Sequence, residues 1–410
     1  MALKLFEAFG IELEYMLVGP QTLAVRPMAD SFLARLSDGR VEGEVERGDV
    51  SWSNELALHV LELKATQPTA DLPGLVRSFQ GAIASVQSEL DRCQLRLLPT
   101  AMHPTMEPRT DVVLWPHEYH EVYDAFDKKF DCHSHGWGNV QSVHLNLPFD
   151  GDAEFERLHT AIRLVLPLLP ALAASSPVVD GRETGLADTR LHHYVRHCNE
   201  MPCLMGEVIP EPLRNQDEYD SVVYQPIRDA LQLAGWSESM RPEFLNARGA
   251  IARFDRGSIE IRVMDVQEFP EADVAICAAV VALLKLMTSE HWQSMEQQFA
   301  VPTKTLRHIF DDVIVDGEKT VLDDAQFLAC FGCQKSTVTA VDLWRDLLEQ
   351  IRESDETVAE LFAPLQTILD HGTLSTRIRR VFRRTFDQAD IAGIYQGLAR
   401  CLLQGKSYVA

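Results

Sequence analysis

Four short stretches of this chain place acids, a histidine and an arginine at alternate positions, where these side chains could bind a divalent metal. The stretches are residues 10–15, 61–63, 142–147 and 258–263. Each alternates apolar and polar residues with the period of a β-strand, so one face is apolar and the other is charged. Carboxylates that crowd together repel each other unless cations hold them. If the strands share a sheet, the pattern predicts divalent metal on one charged concave face.

Composition narrows the classes of partner. The chain has 410 residues, 46% of them hydrophobic, and a formal net charge of -23. This charge argues against a general binder of nucleic acid or of anionic membranes, although a local cationic pocket for phosphate stays compatible with it. The apolar run at 272–287 is short for a membrane span and is flanked by acids, which predicts a buried helix. Without a signal-peptide pattern, we expect a cytoplasmic protein whose eight cysteines are reduced thiols.

The elements that must position these residues are dispersed along the first two-thirds of the chain. Periodicity predicts strands at 8–18, 55–66, 141–148 and 258–266, with helices at 75–98 and 153–174. Residues 178–256 read as loop-rich, with one helix near 221–234. Further helices are predicted at 271–288, 340–353, 357–369, 376–386 and 389–403. This order favours one α+β domain over residues 1–410, of which 271–410 is mostly helical.

Six motifs, in order from about residue 9 to about residue 267, resemble those of the type 2 glutamate–cysteine ligases. They are Gly-Ile-Glu-Leu-Glu at 10–14, the acidic strand at 54–66, Met-His-Pro at 102–104, Val-His-Leu-Asn at 143–146, Ala-Ser-Ser-Pro at 174–177 with the following Gly181, Gly185 and Arg190, and Ser-Ile-Glu-Ile-Arg-Val-Met-Asp at 258–265. The family is one of carboxylate–amine ligases. The resemblance implies its glutamine synthetase-like fold, an antiparallel sheet with a charged concave face, helices packed on the other face and a helical C-terminal portion.

The resemblance also implies a reaction. ATP would phosphorylate the γ-carboxylate of glutamate, or of a related acid, to an acyl phosphate, and an amine would then displace the phosphate to form an amide. In the namesake enzymes this amine is that of cysteine. The chemistry is consistent, because metal ions and arginine neutralise the charge that builds up on a transferred phosphoryl group. Glutamates and a neutral histidine suit Mg²⁺ or Mn²⁺.

By position in the motifs, the resemblance implies a set of metal ligands, which are Glu12, Glu14, Glu55, Glu62, His144 and Glu260. Glu55 is the least regular member of the set. It precedes Glu62 by seven residues, an odd spacing that puts the two on opposite faces of a regular strand. Either a bulge intervenes, or Glu55 lies outside the direct ligands.

Arginines and histidines complete the predicted site. Arg262 shares a strand face with Glu260, and both are predicted to be catalytic, with Arg262 acting on the phosphoryl group. Arg190 resembles the family arginine that binds a substrate carboxylate, for which a guanidinium fork is well shaped. We expect the loop at 182–203 to help form the acceptor pocket, where His192 and His193 could bind the acceptor or could equally point to solvent.

Several alternatives stay open at this point. The cluster of His192, His193, His197, Cys198 and Cys203 could bind zinc or line a pocket for a thiol substrate, but a polar loop with two ordinary thiols is favoured. The basic run at 377–384 is most often a solvated helix face, or else a contact for ATP or an acidic partner. The acceptor could be an amine other than cysteine, and a hydrolase or a catalytically silent binding protein of the same fold are the competing classes. The oligomeric state, including a homo-oligomer, is open.

Overall fold

One antiparallel sheet contains all four of the alternating stretches. The computed structural model describes residues 3–236, 240–385 and 388–409. Within these ranges the strands are β1 (Gly10–Val18), β2 (Glu44–Arg47), β3 (Val50–Asn54), β4 (Val60–Ala65), β5 (Arg96–Leu98), β6 (Ser142–Pro148), β7 (Val178–Val179), β8 (Arg182–Glu183), β9 (Ala250–Arg253), β10 (Ser258–Asp265), β11 (Val321–Leu322) and β12 (Val338–Thr339). Strands β7 and β8 form one small ladder, and β11 and β12 form another.

The remaining eight strands form the main sheet in the order β2-β3-β4-β1-β6-β10-β9, with β5 paired to β1. Met16 pairs with β4 on one side and with β5 on the other. The same edge of β1 therefore pairs with β6 near the start of β1 and with β5 near its end. The pairings place Glu14 opposite Glu62, Glu12 opposite His144, and Glu260 opposite Asn146. This register collects polar side chains from four strands on one face.

The opposite face of the sheet is the apolar layer of the core. Its side chains at Ile11, Leu13, Leu63, Leu145 and Ile261 are 0% exposed. Helix α12 (Pro270–Thr288) contacts β1 together with the helices around it, and its run of Ala, Val and Leu is buried on most sides. No helix in the described part of the chain is both long and apolar enough to cross a membrane.

Helices surround this layer and fill most of the chain after Pro270. In chain order they are α1 (Ala29–Leu36), α2 (Leu72–Arg92), α3 (Pro108–Asp111), α4 (His120–Phe130), α5 (His135–Gly138), α6 (Gly151–Val165), α7 (Pro170–Ala173), α8 (Thr189–Tyr194), α9 (Gln216–Tyr219), α10 (Gln225–Leu233), α11 (Pro242–Leu245), α12, α13 (Met295–Phe299), α14 (Thr303–Asp316), α15 (Ala325–Ala329), α16 (Ala340–Ser354), α17 (Glu356–Glu360), α18 (Phe362–His371), α19 (Leu374–Thr385) and α20 (Gln388–Gln404). Shorter 3₁₀ or π turns lie at Leu166–Leu168, Pro202–Leu204, Asp220–Tyr224 and Gly317–Lys319.

The predicted fold class, an α+β protein with an antiparallel sheet and many helices, is confirmed, but several predicted elements have different bounds. The strand predicted at 55–66 begins only at Val60, because a turn separates it from β3. The helix predicted at 153–174 breaks after Val165, where Pro167 and Pro170 each lack a backbone N–H. Strands β2, β3 and β9 and helix α14 were not predicted. The helix predicted at 376–386 includes Phe386, which lies outside the described residues, and the division into domains stays a prediction.

Candidate active site

Five of the six predicted metal ligands converge on the polar face of the sheet. Potential ligand atoms of Glu12, Glu62 and His144 lie within 4.8 Å of one another, and so do those of Glu14, Glu55 and Glu62. Glu62 belongs to both groups and joins them into one acidic cluster. Strands β1, β4 and β6 are direct neighbours in the sheet, which is why residues so distant in sequence meet here. The geometry can hold cations between oxygen and nitrogen ligands.

Glu55 reaches the acidic cluster by a route that neither predicted alternative described. It follows the last residue of β3, and β3 pairs with β4 so that Ser53 lies opposite Glu62 and Asn54 opposite Leu61. Glu55 and Glu62 are therefore neighbours across a hairpin and do not belong to one strand. Their odd spacing in the sequence consequently does not place their side chains on opposite faces. The interpretation of 55–66 as a single strand was wrong, and neither a bulge nor exclusion from the cluster is needed.

Hydrogen bonds orient the acidic cluster from within the sheet. The Nδ1 atom of His144 lies 3.0 Å from a Glu12 carboxylate oxygen, and its Nε2 atom lies 2.9 Å from the Ser142 hydroxyl. The backbone N–H of Ser142 donates to Glu14 at 2.6 Å, and the Asn146 amide donates to Glu12 at 3.1 Å. These contacts hold the carboxylates in place before any ligand binds, which reduces the cost of ordering them.

The electrostatics of the acidic cluster favour bound cations. Burial first, and then the charge of Glu14, raise the pKa of Glu55 to about 7. Burial and the charges of Glu12 and Glu55 also raise the pKa of Glu62 well above its ordinary value. For Glu12, burial raises the pKa, but the hydrogen bond and charge of His144 outweigh it and lower the pKa to about 2. Burial and mutual repulsion both disfavour the charged forms of Glu55 and Glu62, and a cation between the carboxylates would stabilise these forms, so these residues fit Mg²⁺.

Glu260 lies beside the acidic cluster but in neither group of close ligand atoms. Its carboxylate pairs with the Arg262 guanidinium at 2.7 Å, and the Glu260 side chain is 15% exposed. The register of β10 against β6 shifts between Ile261 and Met264, so Arg262 sits on a strand irregularity of the kind that re-aims a side chain. The structure thus places Glu260 next to Arg262, while its role as a metal ligand stays a prediction.

Arg190 lies at the inner wall of the site in a buried network. Its guanidinium pairs with Asp265, and the two side chains are 2% and 0% exposed. Asp265 also accepts hydrogen bonds from the backbone N–H of Ser175 and the hydroxyl of Ser176. Burial and the charge of Asp265 raise the pKa of the neighbouring Asp188 well above its ordinary value. The Nη2 atom of Arg190 is buried and has no hydrogen-bond partner, so it is free to donate to a bound carboxylate.

A cavity of about 220 Å³ opens directly beside the acidic cluster. Its charged end is lined by Glu14, Glu55, His144, Arg190 and Arg262. The volume lies below the range of roughly 300–1,000 Å³ that is usual for drug-sized ligands. The cavity is therefore too small for a nucleotide, which would have to approach the acidic cluster from another side.

His192 and His193, predicted to bind the acceptor, do not line this cavity, whereas Tyr194, His197 and Cys198 do. Helix α8 explains the difference, since Arg190 and Tyr194 are four residues apart and share one helix face. His193 instead lines a surface groove, where its ring lies 5.5 Å from that of His135. Sequence reasoning missed Tyr194, although the helical spacing from Arg190 was a usable signal. His197 and Cys198 were considered only as part of the histidine–cysteine cluster, and both line the cavity.

The histidine–cysteine cluster at 192–203 and the basic run at 377–384 are the two other candidate sites. Within the described residues, the cluster at 192–203 forms no group of close metal-ligand atoms. In the basic run, Arg377 forms a buried ion pair with Glu268, and Arg379 pairs with Glu183 at 2.7 Å. The side chains of Arg383 and Arg384 lie outside the described residues. Arg377 is therefore a buried structural residue rather than part of a solvated face.

Comparisons with known proteins agree with the six motifs. The family model of glutamate–cysteine ligase family 2 matches residues 8–396. The chain is 29% identical over 384 residues to an uncharacterized protein of Archaeoglobus fulgidus, covering 93% of this chain and 95% of that one. It is 23% identical over 406 residues to a Rubrobacter xylanophilus protein provisionally named glutamate–cysteine ligase 2-1, covering 97% and 96% of the two chains.

Solved structures show the same fold. A glutamate–cysteine ligase of Francisella tularensis, solved in complex with AMP, matches with a TM-score of 0.62 and 14% identity over 100% of this chain and 91% of that one. The resemblance predicted from the motifs is confirmed by the family match, which spans nearly the whole chain. The chain belongs to glutamate–cysteine ligase family 2, and this membership supports a carboxylate–amine ligase.

Proposed function

We propose that this protein is an ATP- and Mg²⁺-dependent ligase that joins the γ-carboxylate of glutamate, or of a related acid, to an amine through an acyl phosphate. The observation that carries the proposal is the acidic cluster, in which potential ligand atoms of five predicted residues lie close together and burial raises the pKa of Glu55 and Glu62. Family membership and the AMP complex of the Francisella tularensis ligase support nucleotide chemistry at such a site. Mn²⁺ would fit the same ligands.

The acidic cluster would hold the cations through Glu12, Glu14, Glu55, Glu62 and His144. Bound Mg²⁺ would neutralise the charge that develops on the transferred phosphoryl group. Burial lowers the pKa of His144, but its hydrogen bond to Glu12 outweighs burial and raises the pKa overall. To hold a cation, His144 would have to be the neutral imidazole, so cation binding would compete with protonation of His144.

The arginines act on the two ends of the acid substrate. The Arg262 side chain is 32% exposed and lies 2.7 Å from Glu260, so its guanidinium can reach a phosphoryl group beside the cations while Glu260 fixes its direction. Arg190 would donate from its free Nη2 atom to a substrate carboxylate inside the cavity. An arginine that is held rigidly by Asp265 offers this bond at little entropic cost.

The second half of the reaction is acyl transfer. The amine nitrogen forms a bond to the acyl carbon, the C–O bond to phosphate breaks, and inorganic phosphate leaves with the electron pair. The neutral amine nitrogen also gives up one proton to become an amide, and the departing phosphate takes up this proton. Phosphorylation is needed because an unmodified carboxylate would have to expel oxide, and the small cavity limits the access of competing water to the acyl phosphate.

ADP release with glutamate and Mg²⁺, measured across a panel of amines that includes cysteine, tests the proposal. Glu12→Gln and Glu260→Gln should each abolish Mg²⁺-dependent ADP formation while the fold remains intact. Glu46→Gln is the matched control, because Glu46 is an exposed acid at the sheet edge and should leave turnover unchanged. Near-normal turnover in both site variants would rule out the cation site. Amide cleavage without ATP consumption would identify a hydrolase instead.

A further inference from the structure

The two ends of the cavity differ in chemistry. Beyond the charged end, the wall is aromatic or neutral and is formed by Phe126, Trp137, Tyr194, His197, Cys198 and Phe244. We call these six residues the aromatic wall. The ring of Phe126 lies 5.4 Å from that of Trp137, so this part of the cavity is a packed apolar surface. The acids and arginines line the same cavity of about 220 Å³, and Tyr194 of the aromatic wall contacts Arg262.

His197 is the polar group of the aromatic wall that has an unused hydrogen-bonding atom. Its ring lies 4.5 Å from the Trp137 ring and meets the Tyr194 ring edge-on at the same distance. The Trp137 indole N–H donates to the backbone carbonyl of His197 at 3.3 Å, which fixes the residue in the wall. The ring Nδ1 atom of His197 is buried and has no partner. Leaving a buried polar atom unpaired costs about 1–3 kcal/mol, so a bound ligand that pairs with it gains affinity.

The arginines that line the cavity already form ion pairs with acids. Of the described residues that line it, Arg190 and Arg262 are the only arginines or lysines, and they pair with Asp265 and Glu260. Burial first, and then the charges of Arg262 and Arg190, lower the pKa of His197 to about 3, so its imidazole is neutral. The acid substrate needs the free Arg190 donor for its own carboxylate. Arg241 and Arg253 lie over the Phe244 ring, but neither lines the cavity. The described lining of the cavity therefore offers no further arginine or lysine that could balance a second carboxylate.

We propose that the aromatic wall is the acceptor subsite, that His197 Nδ1 accepts a hydrogen bond from the acceptor amine, and that the acceptor is a primary amine with an apolar side group and no carboxylate. The inference rests on the proposed ligase function and names its second substrate. A neutral imidazole with its proton on Nε2 can accept this bond, and the aromatic side chains can cover an alkyl or aryl group.

A groove on the outer side of His197 offers the amine a way in. His197 and Gly136 line both the cavity and a surface groove of about 470 Å³ that also contains Glu107, Asp131 and Glu200. Two of these acids are already balanced, because Asp131 pairs with Arg109 at 3.1 Å and Glu200 pairs with Lys129 at 3.7 Å. The groove therefore offers the amine a path rather than a strong electrostatic attraction. A Cβ atom at Gly136 would lie 3.0 Å from the Cβ of His197, so Gly136→Ala should displace His197 without adding or removing a charge.

The test compares matched amines that differ only by a carboxylate, using the full chain with Mg²⁺, ATP and glutamate. The pairs are phenethylamine with phenylalanine, cysteamine with cysteine, and propylamine with 2-aminobutyrate. The amine without the carboxylate should have the higher kcat/KM in each pair, by roughly tenfold or more, since a carboxylate would be buried without a partner. Higher kcat/KM for the amino acid in each pair would overturn the proposal.

Variants then test His197 itself. His197→Ala should raise KM for the amine roughly tenfold while KM for ATP and for glutamate stay unchanged. His197→Asn keeps a polar group near the Nδ1 position and should recover part of the affinity, which also guards against a variant that simply misfolds. His308→Ala is the matched control, because the His308 side chain is 80% exposed and lines neither the cavity nor the groove, so KM for the amine should stay unchanged. An unchanged amine KM in both His197 variants would overturn the role of His197.

One further measurement separates failure of the acceptor assignment from failure of the ligase. Glutamate-dependent positional exchange of ¹⁸O in the ATP β,γ-bridge reports acyl phosphate formation and needs no amine. Exchange together with turnover of the apolar amines supports the proposal. Exchange without turnover of any apolar amine overturns the acceptor assignment alone. The absence of both exchange and turnover removes the ligase function, and the acceptor assignment falls with it.

Discussion

The buried pair of Arg190 and Asp265 leads to a prediction about stability that the structure quantifies. The two side chains are 2% and 0% exposed, and breaking such a pair leaves an uncompensated charge at a typical cost of about 3–5 kcal/mol. Asp265 would still accept from Ser175 and Ser176, and Arg190 would still face Asp188. We therefore expect Arg190→Met and Asp265→Asn each to lower the free energy of unfolding by about 3 kcal/mol, the low end of this range.

The double variant R190M/D265N should lose about as much as either single variant, because neither charge then remains. If the two substitutions acted independently, the double variant would lose about 6 kcal/mol of unfolding free energy, so the expected coupling energy between Arg190 and Asp265 is about 3 kcal/mol. Urea unfolding followed by tryptophan fluorescence measures all three variants. The exposed pair of Asp220 and Arg228, at 52% and 37% exposure, is the control and should couple by less than about 1 kcal/mol. Additivity of the Arg190 and Asp265 effects within about 0.5 kcal/mol would refute the reasoning.

Three further predictions concern the site and the C-terminal helices. Arg262→Lys loses the planar fork and should mainly lower kcat, whereas Arg190→Lys should mainly raise KM for the acid substrate; exchanged patterns would mean that the two roles are wrong. Mg²⁺ at 100 times its Kd should stabilise the protein by about 2.7 kcal/mol, seen as a higher melting temperature, and Glu12→Gln should remove this gain. An equal gain in both proteins would exclude Glu12 as a ligand. Arg377→Met should cost about 3 kcal/mol because it strands Glu268 in the interior, and an unchanged urea midpoint would contradict this.

The face of a strand on which a side chain lies is a local property, and the sequence alone was enough to predict it. Residues 8–18 and 258–266 were predicted as strands, and the structure has Gly10–Val18 and Ser258–Asp265. The side on which Glu12, Glu14 and Glu260 lie follows from the period of two. That these strands share one sheet is a matter of pairing between distant segments. Periodicity could not predict this pairing, which was inferred from the resemblance of the six motifs to a known family.

The errors in the predicted site have a common physical origin in non-local contacts. Glu55 was misread because the hairpin of β3 and β4 reverses the chain between Glu55 and Glu62, and a short apolar run does not reveal its turn. His192 and His193 were chosen by composition, whereas the helix that begins at Thr189 turns them away from the cavity. The unpaired Nδ1 of His197 depends on packing against Trp137, which is remote in sequence.

The central position of β1 has a consequence for how the chain folds. Glu12 and Glu14 alternate with Ile11 and Leu13, and β1 pairs with β4 on one edge and β6 on the other. A slip of β1 by one residue would turn both glutamates into the apolar layer and expose the aliphatic side chains. Burying each carboxylate there would cost several kcal/mol, far more than a misaligned ladder could recover. The acids that are proposed to bind cations thereby also exclude the wrong strand alignments, and the chain obtains a unique sheet from the same residues that serve its chemistry.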